Sequence, residues 1–149
     1  MSDTVIREGV GGMPCPEYEN PAFNSPPPLN EAKVAIVTTA GLRHRDDASW
    51  EVQDSSFRVF ESDDRELQLG HLSPNFDRSG FIADINVVYP IDRLNELAEQ
   101  GVIGSVAPRH MSFMGAQDKR MSGIRIDSGP AMAKMLLEDE VDVVLLTPI

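Results

Sequence analysis

The fold this sequence predicts is an α/β domain built on an open, mostly parallel sheet with helices on its faces, Rossmann-like or flavodoxin-like. Three observations carry that expectation. Lys33-Val-Ala-Ile-Val-Thr-Thr-Ala40 and Val141-Asp-Val-Val-Leu-Leu-Thr-Pro-Ile149 are apolar, β-branched runs. Runs of this kind are buried on both faces of a parallel sheet. Between them, apolar residues recur at helical spacing in two stretches, and strands that alternate with helices build βαβ units.

The elements follow in order. Residues 1–30 read as an extended arm, because six of the chain's 11 prolines fall between Pro14 and Pro28. Such a stretch favours polyproline II over helix or central strand. The α/β domain is expected over residues 31–149. Its first strand is Lys33–Ala40, bounded by Gly41, and residues 41–56 read as a polar loop. Ser56–Phe60 alternates, as does Glu66–His71 more weakly, so each predicts a short strand. His71–Phe81 is rich in turn formers. Ile85-Asn-Val-Val-Tyr89 reads as a strand leading to a helix that opens at Pro90, where a missing N–H costs nothing. Ile91, Leu94, Leu97 and Ala98 share one face of that helix, and Gly101 is its expected left-handed cap. Val102–Ala107 predicts a strand and Pro108–Gly115 a loop. A second helix is expected from Asp127 or Ser128, with Pro130 just inside and Met132, Met135 and Leu136 on its apolar face. Glu138-Asp-Glu140 crowd its carboxyl end, against the dipole preference. The run from Val141 then reads as a buried strand that reaches its carboxyl end with no covering helix, so the domain is expected to be incomplete there, its sheet continuing beyond Ile149.

Composition excludes several function classes. The net charge is −11, from 24 acidic and 13 basic residues, with no dense basic cluster. That argues against nucleic acid as a partner, since phosphate binding needs a basic footprint. No apolar run approaches the roughly 20 residues that span a bilayer, and the first residues carry no signal pattern. The expected location is cytoplasmic, away from membranes. Cys15 is the one cysteine, which excludes an intrachain disulfide and a thiolate zinc site.

In open α/β sheets, ligands bind outside the carboxyl ends of the strands. The loops after Ala40, Ala107 and Pro148 are expected along that edge. His44 and His110 lie in two of them, and His71 precedes a turn that reaches the same place. Imidazole is the usual acid or base near neutral pH, so His71 and His110 are the candidate acid–base pair. Arg78 and Arg109 are candidate carboxylate binders, because guanidinium grips a carboxylate in two places. Thr39 and His44 complete the candidate substrate contacts. No recognised ligand spacing supports a metal site from His71, Asp77, Asp84 and His110. Gly101-Val-Ile-Gly104 precedes a strand instead of following one and is no dinucleotide fingerprint. No activated nucleophile is evident at the edge.

Val34-Ala-Ile-Val-Thr-Thr-Ala-Gly41, His71-Leu-Ser-Pro-Asn-Phe-Asp-Arg78, Asp84-Ile-Asn-Val-Val-Tyr-Pro-Ile-Asp-Arg-Leu94, Gly101-Val-Ile-Gly104, His110-Met-Ser-Phe-Met-Gly115 and Val141–Pro148 occur in that order. Each block alone is weak; the ordered series resembles the amino-terminal part of the selenoprotein B subunit of the glycine, sarcosine, betaine and D-proline reductases, over about residues 30–149. The resemblance implies an oxidoreductase that reductively cleaves a carbon–nitrogen bond α to a carboxylate, a CH–NH type donor with a disulfide as acceptor. It implies a small amino acid or betaine-like substrate and other reductase subunits as partners, one with a pyruvoyl group for some substrates. The catalytic selenocysteine is then expected just after Ile149, its UGA codon read here as a stop, and the 149 residues alone are expected to be inactive and to carry no cofactor. In that frame Arg78 or Arg109 holds the substrate carboxylate, and His71 or His110 protonates the leaving nitrogen. Two other readings stand beside it: a non-catalytic binding member of the same fold, and a small enzyme using His71 and His110 for acid–base work.

Overall fold

A computed structural model describes residues 3–12, 24–73, 78–117 and 120–149. The architecture is mixed α/β around one mostly parallel sheet. Strand β1 (Lys33–Thr38) is its centre. Along one side of β1 run β5 (Ser105–Val106) and β6 (Arg109–Phe113), and along the other runs β7 (Val143–Thr147), all parallel to it. Strand β3 (Phe57–Glu61) lies antiparallel outside β6. A separate two-stranded ribbon pairs β2 (Leu42–His44) with β4 (Leu67–Leu69).

The pleat of β1 sorts its residues into two cores. Val34 and Ile36 pack on one face with Leu42, Phe60, Tyr89 and the helix α3 (Ile91–Glu99) through Ile91 and Leu94. Ala35 and Val37 pack on the other with Met111, Phe113 and Leu136 of α4 (Gly129–Glu138). Helices therefore cover both faces. Burying a side chain such as Ile36, which is fully enclosed, contributes about 1.5–3 kcal/mol.

Helix α3 starts and ends as its sequence suggests, and α4 ends where expected. The Asn86 side chain accepts from the Asp92 N–H at 3.1 Å and donates to the Asp92 carboxylate at 3.0 Å, which fixes the start of α3. Gly101 follows its end with φ +70°. A turn of π-helix at Ile124–Ser128 carries α4 back several residues before its expected start. The acidic end of α4 is compensated. Arg109 grips the Asp139 carboxylate in two places, at 2.8 and 2.7 Å, and Lys33 Nζ donates to the Asp139 carbonyl at 2.7 Å.

Four expectations need correction. Ile85–Val87, just after the short helix α2 (Ser79–Ala83), is a 3-10 turn, because the Asp84 carboxylate accepts from the Asn86 N–H and closes the chain locally. Arg109–Phe113 is strand, not loop. Its polar side chains are used inside the sheet: His110 Nδ1 accepts from the Ile36 N–H at 2.9 Å and Ser112 Oγ from the Leu42 N–H at 2.8 Å. Between β5 and β6 the chain bulges. Val106 pairs with Val34 and Met111 with Val37, and the imidazole fills the ladder position the bulge leaves open. Residues 42–44 form strand within the expected loop. Gly41, with φ +64°, lets the chain reverse after β1 and lay that strand back over the sheet. Asp3–Gly11 is a helix, α1, inside the segment read as an extended arm. The prolines behind that reading begin only at Pro14, so no proline interrupts Asp3–Gly11. Residues 13–23, with Cys15, lie outside the described residues, as does Asp77.

Strand β7 is an outer strand among the described residues. It pairs with β1 at five positions, from Val34↔Val143 to Thr38↔Thr147, and its other side is open. Leu146 is 66% exposed, in a strand whose composition is that of a buried one.

Candidate functional site

The carboxyl ends of β1, β6 and β7 converge on Gly115. A Cβ placed there would lie 2.5 Å from His71 Nε2, 3.0 Å from the Thr39 carbonyl oxygen and 3.2 Å from the Ile149 carbonyl oxygen. His71, Thr39 and the end of the last strand are thus held at one point. Thr39 clasps Ile149 directly, its hydroxyl accepting from the Ile149 N–H at 2.8 Å.

His71 reaches the edge because β4 runs antiparallel to β2 and returns the chain to Gly41; the Gly70 N–H donates to the Gly41 carbonyl at 2.8 Å. The imidazole is buried, and Nδ1 accepts from the Ser73 N–H at 3.1 Å. That bond assigns the proton of the neutral ring to Nε2, the atom facing Gly115. Burial, and then the charge of Arg78, hold the His71 pKa below the ordinary histidine value. One N–H of Arg78 donates to the His71 carbonyl at 2.7 Å, which brings this exposed guanidinium to the same place.

Two pockets flank Gly115. One of about 390 Å³ is lined by Thr39, Phe113, Met121, Ile124 and Ile149, together with Met114, Gly115 and Ala116. One of about 220 Å³ shares Met114–Ala116 and adds Val52, Gln53, Leu72 and Ser73. Both are mainly apolar. Among the described residues, the non-glycine residues with positive φ are Gln53 (62°), Ala116 (56°), Met121 (47°) and Glu140 (56°). All but Glu140 line these pockets. Left-handed backbone at such residues costs about 1–2 kcal/mol each and collects at functional sites.

The other candidate residues lie elsewhere. His44 is carried back over the sheet by β2, where it stacks edge-on against Phe60 and faces Asp64 at 3.4 Å. Arg109 is at the amino end of β6, opposite the carboxyl edge, and is committed to Asp139. His110 is fully buried in mid-sheet against Tyr89, and burial pushes its pKa down to about 4. His71 and His110 therefore do not form a pair, which removes the geometric basis for a two-histidine acid–base site. What was missed at the edge is backbone: Gly41, Gly115 and the strained Gln53, Ala116 and Met121. A small pair, Gly115-Ala116, directly after a strand was the available signal. Among the described residues, no cluster of three or more His, Cys, Asp or Glu side chains could hold a metal ion, and no helix is long and apolar enough to cross a membrane.

The model of the glycine/sarcosine/betaine reductase selenoprotein B family matches residues 13–149. The D-proline reductase subunit gamma of Acetoanaerobium sticklandii is 35% identical over 99% of the chain and 62% of its own length. The sarcosine reductase complex component B subunit beta of Peptoclostridium acidaminophilum is 28% identical over 97% of the chain and 36% of its own length. The glycine reductase complex component B subunit gamma of Symbiobacterium thermophilum is 26% identical, again over 97% of the chain and 36% of its length. The chain thus spans between about a third and two thirds of the curated relatives it matches. No solved structure matches it. With a family model covering nearly all of the sequence, the chain belongs to the glycine/sarcosine/betaine reductase selenoprotein B family.

Proposed function

We propose that these residues form the amino-terminal part of a catalytic subunit in an amino acid reductase complex, acting in the cytoplasm on a small α-amino carboxylate or betaine. In this reading the sheet is a doubly wound, Rossmann-like or flavodoxin-like one that continues past residue 149. The single observation carrying the proposal is the meeting of His71, Thr39 and Ile149 around Gly115, beside an apolar pocket of about 390 Å³. A selenocysteine following Ile149 would supply the nucleophile there, and a pyruvoyl group belongs, if used, to a partner subunit. The bond between the α-carbon and nitrogen breaks, a hydrogen takes nitrogen's place on the α-carbon, nitrogen leaves as the amine, and a dithiol supplies the two electrons and two protons and becomes a disulfide.

The chain's own residues bind and orient. Arg78 is the carboxylate anchor in preference to Arg109, whose guanidinium is already taken by Asp139. His71, neutral near pH 7, presents its Nε2–H as a hydrogen-bond donor to the departing nitrogen or the substrate carboxylate. Thr39 fixes the end of β7, and the apolar walls accept the hydrocarbon part of the substrate and exclude water.

The test is reconstitution of the complete subunit, read past residue 149, with its partner subunits and a dithiol. Amine or ring-opened product from D-proline, sarcosine, glycine or betaine is the expected result, with none from residues 1–149 alone. Failure of the assembled complex to cleave any of these substrates would overturn the proposal.

A further inference from the structure

Gly115 is not glycine for the sake of its backbone. Its φ lies outside the left-handed region that among the described glycines is occupied by Gly41 and Gly101. An alanine could adopt its conformation, so the constraint is space. The site of its absent Cβ is bounded on two sides by backbone carbonyls, Thr39 at 3.0 Å and Ile149 at 3.2 Å, and on the third by His71 Nε2 at 2.5 Å. The two carbonyls lie just past the ladder between β1 and β7, where the Thr39 N–H donates to the Thr147 carbonyl at 3.2 Å and the Ile149 N–H to the Thr39 hydroxyl at 2.8 Å. Of these three nearest atoms only the imidazole nitrogen belongs to a side chain, and a side chain turns more readily than backbone.

We infer that Gly115 is a positioning residue: the missing side chain allows the His71 imidazole to lie against the carboxyl ends of β1 and β7, where the proposed reaction needs a hydrogen-bond donor. For the identity of that reaction the inference rests on the reductase reading above; the geometry stands without it. Any side chain at 115 displaces Nε2 by more than a bond-length adjustment absorbs, since real Cβ contacts essentially never fall below 3.0 Å. The ring then moves off Gly115 and out of its buried seat. Displacements of about 1 Å at a reacting centre lower rates on the order of a hundredfold.

Imidazole 15N resonances of the labelled protein test the placement. The chain has 3 histidines, so His44 and His110 serve as internal references. In Gly115→Ala, the His71 Nε2 resonance shifts and its titration midpoint rises toward the ordinary histidine value, while His44 and His110 stay as they are. An unchanged His71, or equal movement of all three rings, overturns the inference. A double-mutant cycle provides the second reading: Gly115→Ala destabilises the wild type, and its effect shrinks in a His71→Ala background where the ring is gone. Equal costs in both backgrounds also overturn it. In the reconstituted complex Gly115→Ala lowers kcat between tenfold and a hundredfold with KM little changed, and a drop confined to KM contradicts the role. A wild-type complex without turnover defeats the reductase reading, and the resonance and cycle experiments still decide Gly115.

Discussion

Lowering the pH from 7 to 4 removes about 3 kcal/mol of stability through one side chain, His110. Its Nδ1 is occupied by the Ile36 N–H, its ring is enclosed against Tyr89, and burial lowers its pKa from 6.5 to about 4. An unfolded chain takes up a proton on this histidine near 6.5, whereas the folded chain refuses it until about 4. Across that window the unfolded state binds more protons, so stability is complete above the unfolded value and falls as the pH drops, levelling off below about 4. At about 1.36 kcal/mol per pH unit the loss is about 3 kcal/mol, a large share of a domain's typical 5–15. His110→Asn isolates the effect: its side-chain oxygen, attached to the same carbon as Nδ1, still accepts from Ile36 but cannot titrate. Urea unfolding at pH 7 and pH 4.5 is the assay. The variant starts roughly 1–3 kcal/mol below wild type at pH 7, having lost ring packing. The gap then narrows or reverses at pH 4.5, because only the wild type loses the His110 contribution. Two curves that fall in parallel would refute the argument.

Other substitutions probe other joints. Gly70→Ala drives a methyl into the indole of Trp50, which is packed under the Arg58 guanidinium at 4.2 Å; it costs about 1–3 kcal/mol, and the fluorescence of this sole tryptophan shifts to the red. An unshifted spectrum with full stability contradicts that packing. Arg109→Met frees Asp139, at the end of α4, from β6 and lowers the thermal midpoint, yet leaves substrate KM in the reconstituted complex unchanged; a raised KM would return Arg109 to the substrate site. Residues 1–149 self-associate through the open side of β7, and Leu146→Lys reduces this in sedimentation velocity; a wild type that stays monomeric at all concentrations sinks that expectation.

Elements with one dominant signal were legible in the sequence. β1 and β7 are apolar runs, and α3 has its stripe and its glycine cap. The strand at Arg109–Phe113 was not, because its polar residues are satisfied by backbone groups from distant strands, Ile36 and Leu42, and only the folded chain supplies those partners. Ile85–Val87 misled in the opposite sense: β-branched composition yielded to a local bond from Asp84. At the site, topology brought His71, Thr39 and Arg78 to the expected edge. It could not foresee that the chain after Gly41 folds back and takes His44 with it, nor that an acidic helix end would capture Arg109. The strained residues around the pockets carry no compositional mark, since φ is imposed on Gln53, Ala116 and Met121 by their neighbours.

Because β7 is joined to the sheet along one side, it behaves as a cantilever. Its root is anchored near Asp142, whose carboxylate accepts from the Lys33 N–H at 2.8 Å, and its tip is steadied by the hydroxyl of Thr39. Whatever is mounted at that tip is aimed through the Thr39 hydroxyl. Thr39→Val would loosen the overhang while sparing the footing, a fault of aim and not of strength.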